Sequence, residues 1–153
     1  IGGTEEVMAC VEDGSVYQVG TYNGKPLCMA AARANLEEVL TPDAYVKLDH
    51  LNDRILAGCD EVIAKHNLPG YSVGIGSKGC VTFSTEKVVD YETFKANQDA
   101  ELCDLAWLFN MNRGIFMTPG REEEWTLSVT HTDEAVDRYV EVFEEMAFEL
   151  TKP

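Results

Sequence analysis

Positive charge is scarce in this chain. Lysine and arginine number 12 against 27 aspartates and glutamates, a formal net charge of -15. A surface of that sign repels phosphate backbones and anionic lipid headgroups, which argues against nucleic acid and membrane surfaces as partners. The acidic residues are scattered over solvent-facing helix positions and Glu122-Glu123-Glu124 is the one short run, so the charge reads as a solvated surface. Clustered metal or disulfide ligands are also missing. Cys10, Cys28, Cys59, Cys80 and Cys103 are odd in number, widely separated and without a CxxC pair, which predicts reduced, buried thiols. His50, His66 and His131 are not spaced to complete a zinc site, so no metal is expected. No apolar run suits a transmembrane helix and the first residues lack the pattern of a signal peptide, from which a cytoplasmic location is expected. No repeat, low-complexity tract or linker interrupts the 153 residues, and 45% hydrophobic content suits one core.

What is present is concentrated in Val16 to Ala32, VYQVGTYNGKPLCMAAA. An aromatic, strand-like run breaks at Gly20, passes through a polar turn and opens an alanine-rich helix. Gly20 and Gly24 are suited to backbone angles closed to other residues, Pro26 fits the first turn of a helix, and Thr21 and Asn23 place a hydroxyl and an amide at the tip. Small ligands bind at turns of this kind.

Elsewhere the pattern alternates helix and strand. Thr4 is placed to cap a short helix that carries Glu5 and Glu6 in its first turn and ends near Asp13-Gly14. A helix from Pro26 to about Leu40 is followed by one that opens at Thr41-Pro42, with Leu48, Leu51, Ile55, Cys59 and Val62 on one face and a stop at Asn67, Pro69 and Gly70. Tyr71 to Ser84, broken at Gly76 to Gly79, reads as a hairpin. A long helix is expected over about Tyr91 to Asn112, strands over Gly114 to Thr118 and Trp125 to Thr130, and a last helix capped by Thr132. The expected buried face of that last helix is Val136, Tyr139, Val140, Phe143, Met146, Ala147 and Leu150. The fold class is α+β, an antiparallel sheet with helices packed on one side.

GTYNGKPLCMAAA resembles the turn-and-helix segment of class III pyridoxal-phosphate-dependent aminotransferases, in particular the branch with glutamate-1-semialdehyde 2,1-aminomutase. Ile1-Gly2-Gly3-Thr4-Glu5-Glu6-Val7-Met8 is similar to that family's glycine pair and short helix, and EEWTLSVTHT, Glu123 to Thr132, to its late strand before the last helix. The three segments keep the family's order and spacing. The resemblance implies the small C-terminal domain of the fold-type I transferase fold over residues 25–153, preceded by a remnant of the large cofactor-binding domain over residues 1–24. It implies pyridoxal 5'-phosphate in the intact enzyme, a homodimer and a small amino-acid or keto-acid substrate. The family's Schiff-base lysine would precede Ile1, so the piece alone is expected to bind no cofactor and to be inactive; Lys25, on an exposed turn, is not that lysine.

Carried over residue by residue, the resemblance gives Thr21, with Gly20, the task of holding the cofactor phosphate of the partner subunit; the plainer alternative is a threonine that closes its own turn. Tyr22 and Asn23 flank the same pocket, and Lys25 stands where the family usually has asparagine. Glu123 aligns with a catalytic glutamate that faces the substrate's amino groups in the aminomutase branch. A shift of one residue would pass that role to Glu122 or Glu124. Arg121 is either a carboxylate holder or a surface counter-charge. His131 is read as a structural hydrogen-bonder and Trp125 as core. Against the reading of an amino-group-transferring enzyme stands that of a non-catalytic acidic dimerisation or interaction module retaining the small-domain fold.

Overall fold

The computed structural model describes residues 2–118 and 124–152, and the chain divides into two compact units, Ile1–Leu40 and Thr41–Pro153. In the first unit the Thr4 hydroxyl accepts the Val7 N–H at 3.4 Å and caps helix α1 (Glu5–Glu12). This satisfies one of the helix's orphan donors, as the sequence predicts. Helix α2 (Pro26–Ala34) starts on its proline and continues into a wider turn, Asn35–Val39, closed by the Leu40 N–H on the Asn35 carbonyl at 2.9 Å. That bond reaches back five residues, so the expected helix to Leu40 keeps its extent but ends in π geometry. No described residue of this unit is buried.

In the second unit helix α3 (Pro42–His66) opens with Thr41 at the cap position, although the threonine hydroxyl makes no capping bond. It ends where Asn67 turns into the left-handed region at φ 52° and donates to the Ala64 and Ile63 carbonyls. The hairpin follows as read: strand β1 (Tyr71–Ile75) pairs antiparallel with β2 (Lys78–Thr82), and Gly76 at φ 59° makes the turn between them. After helices α4 (Tyr91–Asn97) and α5 (Ala100–Met111), strand β3 (Glu124–Thr126) adds antiparallel to β2, giving the order β1-β2-β3. Helix α6 (Asp133–Leu150), capped by the Thr132 hydroxyl on the Ala135 N–H, packs beside α3. The result is the expected α+β arrangement, a three-stranded antiparallel sheet covered on one face by helices.

Four expectations need correction, the first being the strand expected over Trp125 to Thr130, which runs only over Glu124–Thr126 before the chain turns. The long helix over Tyr91 to Asn112 is two helices, because Gln98 is extended and the Asp99 carboxylate caps a new start by accepting the Leu102 N–H at 3.0 Å. An aspartate that caps a helix and one that decorates its surface look alike in a periodicity count. Residues 115–118 form no strand: Gly114 at φ 81° ends the preceding turn, and the Met117 carbonyl is taken by the Trp107 indole at 3.3 Å rather than by a strand. On α6 the buried face is turned slightly from the predicted one. Val142 is fully buried, Val140 only partly, and Leu150 stands exposed in the last turn.

The sheet's inner face is built around one row. Gly74 lies opposite Gly79, and Gly79 opposite Trp125. A methyl group on Gly79 would sit 2.7 Å from the indole Cε2, and one on Gly74 would sit 2.9 Å from Asn52 Nδ2, so Gly79 leaves room for the ring and Gly74 for the amide that meets it. The buried Trp125 then donates through Nε1 to Oδ1 of Asn52 on α3 at 2.8 Å, and Asn52 Nδ2 donates to the Lys78 carbonyl at 3.2 Å. Tyr139 of α6 meets the same indole edge-on, ring centres 5.7 Å apart. Trp125 is thus in the core as read.

Candidate functional site

The turn before α2 is held by two backbone bonds, from Asn23 N–H to the Gly20 carbonyl and from Lys25 N–H to the Tyr22 carbonyl, both 3.1 Å. Gly24 takes φ 70°, which only glycine adopts without strain. Gly20 does not use such an angle. Its lack of a side chain matters because a Cβ there would meet Asn23 Oδ1 at 2.6 Å, so Asn23 folds back over it. The Lys25 ammonium lies 4.9 Å from the centre of the Tyr22 ring and stays on the outside of the turn. Thr21 sits exposed at the tip, and among the described residues its hydroxyl has no hydrogen-bond partner. The alternative in which Thr21 closes its own turn therefore finds no bond in the structure. The Thr21 and Tyr22 N–H groups are likewise outside the backbone hydrogen bonds of the turn. These donors lie next to the start of α2, whose dipole favours negative charge. The chemistry of this set fits a phosphate group.

Glu123 and Arg121, the other candidates, lie outside the described residues, as does Glu122. Glu124, next along the chain, pairs with Lys78 across the sheet. His131 is the structural hydrogen-bonder that the sequence suggests: its Nδ1 accepts the Ser128 N–H at 2.9 Å, tying the end of the β3 segment to the start of α6. None of the five cysteines is in a disulfide; Cys59 and Cys103 are buried, while Cys10, Cys28 and Cys80 are half-buried. Burial, followed by the nearby Asp60 charge, pushes the Cys59 thiol well above its ordinary pKa. Among the described residues no His, Cys, Asp and Glu side chains cluster to hold a metal ion, and no helix is long and apolar enough to cross a membrane.

Ion pairs bind α6 to α3 along their exposed edges. Arg54 grips Asp137 with both prongs, at 2.6 and 2.8 Å, and Lys65 pairs with Glu144. The hydrogen bond from Arg54 holds the Asp137 carboxyl below its usual pKa, and that from Lys65 does the same for Glu144. Asn52 was not legible as important: it sits one position from the apolar stripe of α3 and carries no signal in the sequence beyond being an amide at a face boundary.

Comparison with known proteins agrees with this architecture. No family model matches the chain. It is 33% identical over 141 residues to glutamate-1-semialdehyde 2,1-aminomutase 2 of Brevibacillus brevis, covering 92% of the chain and 33% of that protein. It is 35% identical over 142 residues to the glutamate-1-semialdehyde 2,1-aminomutase of Akkermansia muciniphila, again covering 92% of the chain and 33% of the relative. Among solved structures, a glutamate-1-semialdehyde aminomutase variant from Pseudomonas aeruginosa in complex with PMP superposes with a TM-score of 0.79 over 97% of the chain and 34% of its own, at 20% identity. A beta-phenylalanine aminotransferase from Variovorax paradoxus superposes with a TM-score of 0.73 over 95% of the chain and 34% of its own, at 26% identity. The chain spans about one third of the length of the relatives it matches. By sequence and by fold it belongs to the class III pyridoxal-phosphate-dependent aminotransferase family, in the glutamate-1-semialdehyde aminomutase-like branch.

Proposed function

We propose that the protein to which this chain belongs is a pyridoxal-phosphate enzyme that moves amino groups on small amino- or keto-acid substrates, by aminomutase or aminotransferase chemistry, and that Thr21 helps to hold the cofactor phosphate. The single observation that carries the reading is the exposed Thr21 hydroxyl, without a partner among the described residues, on a turn fixed by two backbone bonds. Bound pyridoxal phosphate supplies the electron sink for amino-group chemistry. This chain's part is positioning: the Thr21 hydroxyl donates to a phosphate oxygen, the neighbouring N–H groups add donors, and the start of α2 adds a favourable field. Glu123, two residues before the buried Trp125, is the proposed carboxylate beside the substrate's amino groups.

The working unit in this reading is a homodimer, with Thr21 serving the partner's cofactor. Residues 1–40 support it by what they leave uncovered. Tyr17 is 85% exposed, Leu27 73% and Val19 65%, an apolar display that burial against further protein would stabilise. Within this reading residues 1–24 remain part of a larger cofactor-binding domain and residues 25–153 form the small domain. A cytoplasmic setting suits five cysteines outside any disulfide.

The test is Thr21→Ala in the whole-length protein. A charge-assisted hydrogen bond is worth roughly 1.5–3 kcal/mol, so cofactor affinity falls about ten- to a hundredfold while circular dichroism is unchanged. Thr21→Ser retains most of the affinity. Mixing Thr21→Ala subunits with subunits lacking the Schiff-base lysine restores one competent site per mixed dimer. Cofactor binding by Thr21→Ala as tight as that of the parent rejects the phosphate role.

A further inference from the structure

The outer face of the sheet, away from α3, carries a cleft of about 370 Å³. That lies within the roughly 300–1,000 Å³ usual for small-molecule sites. Alternation along β1 decides what faces it. Ser72 and Gly74 turn inward, where Ser72 Oγ donates to the Leu56 carbonyl of α3 at 3.3 Å, so Tyr71 and Val73 turn outward. Cys80, opposite Val73 in the register, joins them. The far wall is brought over by the segment after β2. Val88 donates its N–H to the Tyr71 hydroxyl oxygen at 2.8 Å, and the Asp90–Thr93 capping box starts α4 so that Phe94 closes the side. The walls are held by these bonds before any ligand arrives.

The polar side chains lining this cleft include Tyr71, Thr82, Lys87, Gln98 and Glu124, with Lys87 the one cation among them. The Tyr71 oxygen already accepts from Val88, which leaves its own proton to be donated. Lys87 lines the cleft, and among the described residues it forms no ion pair, in a chain where cations are outnumbered. The one carboxylate in the lining, Glu124, is engaged by Lys78. A cation and a phenol hydroxyl above aromatic and branched walls complement a carboxylate attached to an apolar body. The ammonium of a free amino acid would find its natural partner already taken.

We propose that this cleft binds a small aromatic or branched-chain carboxylate, with Lys87 and the Tyr71 hydroxyl on the acid and Val73, Val88 and Phe94 around the apolar end. The site is independent of the cofactor reading above and its test involves no cofactor. Cys80 provides the reporter, because its half-buried thiol lines the cleft. In the whole-length protein, alkylation of each cysteine by iodoacetamide is followed by peptide mass mapping with 3-phenylpropanoate, or with 3-phenylpropanamide of the same shape and no charge. The acid slows alkylation of Cys80 about fivefold more than the amide does, the factor expected for one exposed charge-assisted contact, and leaves Cys10 and Cys28 unaffected. Lys87→Met, an exposed position, removes the difference between acid and amide. Equal protection by both compounds, no protection by either, or a Cys80 that is unreactive without any ligand because another part of the polypeptide fills the cleft would each overturn the proposal.

Discussion

Removing the amide of Asn52 separates a structural keystone from a bystander. In Asn52→Ala the Trp125 N–H loses its 2.8 Å acceptor and the Lys78 carbonyl its 3.2 Å donor, in surroundings where Asn52 is 2% and Trp125 5% exposed. Water has little access to replace either bond. A buried donor left unpaired costs about 1–3 kcal/mol, and the space left by the truncated side chain adds to it. The Lys78 carbonyl is partly buried and contributes less. The sum is about 2–4 kcal/mol. For a unit of this size that corresponds to a fall in Tm of roughly 10–25 °C. Urea unfolding followed by circular dichroism measures it. A double-mutant cycle with Trp125→Phe isolates the bond, since the phenylalanine has no N–H to strand: in that background Asn52→Ala costs about 1 kcal/mol less. A loss below about 0.5 kcal/mol, the range of ordinary surface substitutions, would refute the reasoning.

Gly79→Ala tests the same row from the sheet side: its methyl would overlap the indole, so the ring or the strand must shift, and a destabilisation of about 1–3 kcal/mol is expected in thermal melts. Acid weakens the α3–α6 edge. The Asp137 and Glu144 carboxyls are held below their unfolded pKa by hydrogen bonds from Arg54 and Lys65. Their contribution is therefore complete above the usual carboxylate range near pH 4 and is lost as pH falls through the depressed folded values. Urea midpoints measured from pH 7 downward should drop in that window, and less steeply in Arg54→Met. Cys59, buried and with its thiol pushed upward, should stay unmodified by iodoacetamide at pH 8 in the native state and react once urea unfolds the chain, as peptide mapping would show.

Local grammar was legible in the chain itself. Thr4 and Thr132 as caps, Pro26 and Pro42 as helix openings, the stop at Asn67 and the hairpin around Gly76 depend on interactions within a few residues, and each stands where the sequence puts it. The three segments that resemble the aminotransferase family are equally local, which is why fold and family could be read without a structure. The break at Asp99 was also local but ambiguous, because the same carboxylate suits a cap or an exposed helix position. Tertiary structure decided the rest. That Asn52 joins Trp125 to the Lys78 carbonyl depends on groups 73 and 26 residues apart in sequence meeting over two facing glycines, and no window of sequence contains both ends. The missing strand over residues 115–118 has the same cause: an apolar run becomes a strand only where a partner offers its ladder, and here the Met117 carbonyl was claimed by the Trp107 indole. Residue types set which bonds each segment can make; only the packing of α3, α6 and the sheet determined which of them are made.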